Sequence, residues 1–263
     1  LLGPIVLALE FLLLPVLARS DPAPRASAAG LLRAWISESL HLYAKFAWGQ
    51  PFGWRAVPDF LPPDARGRTG AVLVHGFVCN RGFWNAWLQR MRQEGIPCIA
   101  VNLEPPFGSI DDYGPAIGDA VRRIRELTGV PPVVICHSMG GLAARAWWRA
   151  SRGRQPLQRL VTIASPHGGT WAGRFSRRTN GMQMRLQSGW LQELARHEQD
   201  QPLPPLTCWY SNCDNIVVPP CTATHPAADN RFVAGEPHVA LAFHPEVVEA
   251  CLALLRPSAS VSR

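Results

Sequence analysis

The sequence predicts an α/β chain with a mostly parallel central sheet and helices on both of its faces. Short, wholly apolar stretches such as Pro132–Cys136 alternate along it with longer stretches of helical period, the pattern of strands covered on both sides. At Val133–Leu142 one such strand runs straight into a helix with a single serine at the junction. The 263 residues suit one domain of ordinary size or two small ones, and 47% apolar against 17% charged residues argues against disorder throughout.

Taken in order, Leu1–Ala18 is an apolar run interrupted by Gly3, Pro4, Glu10 and Pro15. It predicts a membrane anchor at the short end of the spanning range, or the core of a signal peptide. The chain opens on Leu1 rather than a methionine, which predicts further residues upstream. Residues 19–70 read as a Pro/Ala/Ser linker, then an amphipathic helix, then a loop-rich lead-in. The helix is Leu31–Trp48, with Leu32, Trp35, Ile36, Leu40, Tyr43 and Ala47 on its apolar face, to lie on a membrane or on the domain. A catalytic domain is expected over 71–256 and a tail over 257–263. Within that domain strands are expected at Ala71–His75, Pro97–Leu103, Pro132–Cys136, Leu157–Ala164, Leu206–Tyr210 and Asn230–Ala234. Helices are expected at Phe83–Gln93, Asp112–Leu127, Met139–Arg152, Met184–Arg196 and Pro245–Leu255.

The formal charge is +7, and Lys45 is the only lysine among 26 basic residues. No RNP, zinc-finger or helix-turn-helix pattern accompanies that charge, so no nucleic-acid partner is expected. Nine arginines fall in the acid-free interval between Glu126 and Glu193. They read as a solvated helix face and loops, the alternative being a basic face toward an anionic membrane or substrate. The seven cysteines contain no CxxC pair, so no zinc site is expected, and the chemistry expected of the chain requires neither metal nor organic cofactor. Cys213 and Cys221 bracket a short loop, and packing thiols are favoured over a disulfide there.

The chemistry concentrates at Cys136-His137-Ser138-Met139-Gly140. A strand–turn–helix this tight needs small residues two before and two after the serine. It pushes Oγ out above the sheet and sets the amide of Met139 at a helix N-terminus, where an oxyanion is stabilised. A second apolar strand ends in His75-Gly76-Phe77, where a glycine lets the backbone turn close to a substrate. In these two segments and their flanking strands and helices, the chain resembles the α/β-hydrolases of the bacterial lipase/esterase type over roughly Ala71–Leu255. It departs from them at Cys136, where that family usually has glycine. The segments Ala164–Thr170 and Gln183–Leu191 resemble lipases more than dehalogenases or epoxide hydrolases.

The resemblance implies an α/β-hydrolase fold and a catalytic triad in the chain order Ser, acid, His. Ser138 is the nucleophile and His238, between the last strand and the last helix, the base. Asp214, four residues after Leu206–Tyr210, is the orienting acid. The backbone amides of Phe77 and Met139 form the oxyanion hole. His75 and His167 are expected to hold loops, His244 to cap the final helix, and Asp229 to serve a turn or cap; Trp171–Pro202 is the only stretch long enough for a lid.

The expected activity is cleavage of carboxylic esters, as a carboxylesterase or lipase acting on ester or lipid substrates at or near a membrane. Thioesterases and acyltransferases use the same triad. A non-catalytic membrane-associated binding protein on this fold would lack a triad member, and none is missing. Arg19, Arg25 and Arg33 after the apolar run incline the expected location toward the cytoplasmic side of a membrane, with secretion or periplasmic release after signal cleavage as the alternative.

Overall fold

The computed structural model describes residues 2–256. Leu1, the expected tail at 257–263 and the side chains at 2 and 46–49, Ala47 among them, lie outside the described residues.

Six parallel strands form one sheet: β1 (Ala71–Val74), β2 (Cys98–Ala100), β3 (Val133–His137), β4 (Arg159–Ile163), β5 (Leu206–Ser211) and β6 (Asp229–Val233), in the spatial order β2-β1-β3-β4-β5-β6. The helices are α1 (Leu2–Leu17), α2 (Ala28–His41), α3 (Gln50–Gly53), α4 (Asn85–Gln93), α5 (Gly114–Thr128), α6 (Met139–Ser151), α7 (Thr179–Gln183), α8 (Gly189–Asp200), α9 (His238–Leu241) and α10 (Pro245–Ala253). A π-helical segment, Leu42–Gly49, continues α2.

Alternation along the strands divides the core in two, because successive side chains point to opposite faces. Val72, Val74, Val134 and Cys136 meet α5 and α6 on one side. Leu73, Val133, Ile135 and Ile163 meet α4, α9 and α10 on the other. Cys136, the departure from the family's glycine, is fully buried in the first layer. Burial raises its thiol pKa well above the ordinary value, so the group stays protonated. All seven cysteines are free.

Two expectations need correction. The helix expected at Met184–Arg196 starts five residues later: residues 184–188 turn after α7, and α8 runs Gly189–Asp200, where Ser188 Oγ accepts the amide of Leu191 at 3.2 Å. A serine N-cap overrides the apolar period that had suggested an earlier start. The strand expected at Pro97–Leu103 is only Cys98–Ala100. In the region of the expected amphipathic helix, α2 buries Gly30, Ala34 and Glu38, while Leu32, Ile36, Leu40 and, beyond α2, Tyr43 face outward. Ala34 is buried with Phe11, Leu14, Cys213 and Val218, Leu31 and Trp35 pack beside them, and Leu32, Ile36 and Leu40 are left outside.

The apolar run is also packed on the domain. Phe11 and Leu14 of α1 are buried with Ala34, Cys213 and Val218, and Trp35 Nε1 donates to the carbonyl of Pro4 at 2.9 Å. Among the described residues no helix is long and apolar enough to cross a membrane.

Candidate active site

From β1 the chain passes to β2 on one side and then back to β3 on the other. In a parallel sheet that reversal opens a crevice at the carboxyl ends of the two strands. The two segments the sequence singled out, His75–Phe77 after β1 and Ser138 after β3, flank it.

Ser138 has φ 55° and ψ −130°, an unfavourable conformation for a residue with a Cβ. Its neighbours hold it there. A Cβ on Gly140 would come within 2.6 Å of the carbonyl oxygens of both Val74 and His75, so only glycine lets α6 start this close to β1. Among the described residues, neither the amide of Phe77 nor that of Met139 donates to a protein acceptor. Phe77 lines the same cavity as Ser138, and Met139 opens α6.

His238 Nε2 lies 3.0 Å from Ser138 Oγ, and its Nδ1 lies 3.0 Å from each carboxylate oxygen of Asp214. A carboxylate accepts only, so Nδ1 carries the proton and Nε2 is left to accept from the serine hydroxyl. Asp214 is buried, and its Oδ1 also accepts the amides of Ile216 at 2.9 Å and Val217 at 2.8 Å. Burial pushes the His238 imidazole down. The charge and hydrogen bond of Asp214, with Glu38 and Glu10 beyond it, outweigh that, and its pKa is raised. The carbonyl of His238 accepts from His137 Nε2 at 3.1 Å.

The other candidates sit apart. His75 Nδ1 donates to the carbonyl of Gly76 at 2.9 Å and Nε2 accepts the amide of Leu103 at 3.0 Å. Burial lowers its pKa to about 4, so it holds the loop as a neutral ring. His167 is buried against Thr162, Arg145 and Cys208. Arg145, one of the nine arginines expected on a solvated surface, is itself buried in an ion pair with Glu198 at 2.7 Å. His244 precedes α10. Asp229 begins β6, exposed and paired with Arg231.

The cavity beside Ser138 measures about 430 Å³. None of residues 171–202, the expected lid, lines it; its cover comes from Gly3, Val6 and Leu7 of α1 and from Leu42. Two acids that the sequence did not place there, Glu10 and Glu38, also line it. The signal for Glu10 was a charge inside an apolar run. For Glu38 it was the i, i+4 series Gly30, Ala34, Glu38 on the face opposite the leucines.

Residues 71–258 match the model of the alpha/beta hydrolase family. No curated protein matches the sequence. Among solved structures the fold is similar to that of a Bacillus licheniformis lipase in its mature form, with TM-score 0.65 and 14% identity over 74% of this chain and 96% of that one. It is also similar to a Paleococcus ferrophilus monoacylglycerol lipase, with TM-score 0.53 and 14% identity over 72% and 96%. A Thermogutta terrifontis esterase gives TM-score 0.50 and 19% identity over 73% and 91%.

Proposed function

The chain belongs to the alpha/beta hydrolase family, and from that premise we propose that it is a serine hydrolase of carboxylic esters, a carboxylesterase or lipase. The observation that carries the reading is the unbroken chain Ser138 Oγ, His238 Nε2, His238 Nδ1, Asp214, with both links at 3.0 Å. The names of the similar structures, lipases and an esterase, agree with it.

In this reading Ser138 Oγ attacks the ester carbonyl carbon while His238 Nε2 takes its proton. The carbonyl oxygen becomes an oxyanion held by the amides of Phe77 and Met139. Collapse expels the alcohol, which leaves with the proton from His238, and an acyl group remains on Ser138. Water attacks that acyl group as His238 takes a proton from it. Ser138 then departs with that proton and the carboxylic acid is freed. Asp214 holds the tautomer and stabilises the imidazolium in both halves. The cavity walls, Val6, Leu7, Leu42, Val78 and Ile216, suit an apolar acyl or alcohol group.

We further propose that the protein works at a lipid surface. Ile5, Leu9, Leu12 and Val16 of α1 and Leu32 and Leu40 of α2 are exposed, and α1 also roofs the cavity. An apolar face of this extent beside a site for ester substrates suits a bilayer better than water.

The test is labelling with a fluorophosphonate probe. The full chain should be modified at Ser138 with loss of turnover on a short-chain soluble ester. A folded protein that neither labels nor turns over esters would indicate a binding protein instead.

A further inference from the structure

The family match begins at residue 71, so α1 and α2 lie outside it, yet each sends one acid to the histidine. Glu38, only 3% exposed, accepts the amide of Val239 with Oε1 at 2.9 Å and Oε2 at 3.2 Å, and the amide of Ala240 with Oε2 at 3.3 Å. Those amides belong to α9, the single turn that begins with His238. Glu10 Oε2 accepts from Asn215 Nδ2 at 2.7 Å, and Asn215 Oδ1 accepts the amide of His238 at 3.4 Å. Both acids also line the cavity over Ser138.

We propose that Glu38 and Glu10 are positioning residues for His238, delivered by the N-terminal helices, that fix the turn carrying the imidazole and supply negative charge to its protonated form. The proposal rests on the serine hydrolase reading above. A buried carboxylate held by two amides is costly unless it is neutralised or useful. Its useful moment is the transition state, when His238 becomes cationic.

The groups facing His238 are Asp214 from the loop after β5, Glu38 from α2, Glu10 from α1, and His137 and Ser138 at the end of β3. Of these only the three carboxyl groups can carry negative charge; burial raises the pKa of Glu10 and that of Glu38, the latter to about 7, so Glu38 contributes its charge as pH rises past that value. His137 is kept neutral by burial, which lowers its pKa well below the ordinary value, with the charge of His238 adding to that. Each carboxylate raises the pKa of the imidazole. Removing the charge of Glu38 or Glu10 therefore makes His238 easier to deprotonate.

The experiment compares the full chain with Glu38→Gln, Glu38→Asp and Glu10→Gln. Each is assayed for release of acid from ethyl butyrate across pH, with fluorophosphonate labelling of Ser138 as the independent check. Glu38→Gln should lower kcat about tenfold, the effect of one partly screened charge, with little change in KM. The acid limb of its kcat/KM profile should move to lower pH. Glu10→Gln should move the limb the same way, and Glu38→Asp, which keeps the charge, should leave it where it is. If Glu38→Gln does not fold, Glu10→Gln decides. Folded variants with an unmoved acid limb and wild-type kcat overturn the inference, whereas a wild-type protein that neither labels nor hydrolyses overturns the esterase reading instead.

Discussion

A Cβ on Gly76 would stand 2.8 Å from the Cβ of Ser138. The loop after β1 and the turn after β3 therefore approach each other as closely as backbone allows, and the amide of Phe77 is carried toward the serine by that approach. Gly76→Ala would push the two apart. Turnover should fall about 10²-fold, the effect of an ångström-scale misplacement, while circular dichroism stays native. Wild-type turnover would mean that the gap between the loops does not matter to the chemistry.

Asp214→Asn should reduce ester turnover by up to about 10⁴-fold, because an amide neither stabilises imidazolium nor enforces the productive tautomer. Asp229→Asn should leave turnover unchanged, since Asp229 is exposed at the start of β6 and bound to Arg231. Parallel rates on one soluble ester check both. A large loss in the Asp229 variant alone would reverse the assignment of the acid.

The two sides of α1 should respond differently. Leu14 is buried against Cys213 and Val218, so Leu14→Ala should cost about 2–5 kcal/mol, read from denaturant unfolding. Leu12 is 73% exposed, and Leu12→Glu should leave stability and soluble-ester turnover intact while reducing flotation with anionic phospholipid vesicles. Unchanged stability in the Leu14 variant would show that α1 leaves the domain in solution. Unchanged flotation in the Leu12 variant would count against a lipid surface.

Glu38 makes a separate prediction for stability. Its ordinary carboxyl value is 4.5, and burial, against the lowering effects of His238 and the amide of Val239, raises it to about 7 in the folded chain. Between those values the native state binds more protons than the unfolded one. Its contribution to stability is therefore greatest at low pH and is lost as pH rises toward about 7. A glutamine has no such proton. The difference in Tm between Glu38→Gln and wild type should become more favourable to the variant from about pH 5 to about pH 8. A difference independent of pH would mean that Glu38 has the same pKa folded and unfolded.

The sheet and the serine turn were legible in the sequence because local rules set them. Wholly apolar runs mark strands buried on both faces, and Ser138 between a strand and Gly140-Gly141 marks a turn that little else tolerates. Chain order and the ends of strands then pointed to Asp214 and His238. The contacts that join these residues span about a hundred positions between Ser138 and His238, and only the parallel sheet brings them to one edge.

The cover of the cavity was not legible, because the relevant partners are more than two hundred residues apart: Glu38 meets Val239 and Glu10 meets Asn215. Read locally, the apolar face of α2 suits a membrane or the domain equally, Glu10 looks like a flaw in an apolar run, and 171–202 looks like the lid. Periodicity gives the faces of a helix but not which face meets the domain. That was decided by tertiary packing: Ala34 is buried with Phe11, Leu14, Cys213 and Val218, and the same face of α2 carries Glu38 to the two amides beside His238. Local sequence rules placed Ser138 at a strand–helix turn, whereas the charges around His238 were chosen by tertiary packing.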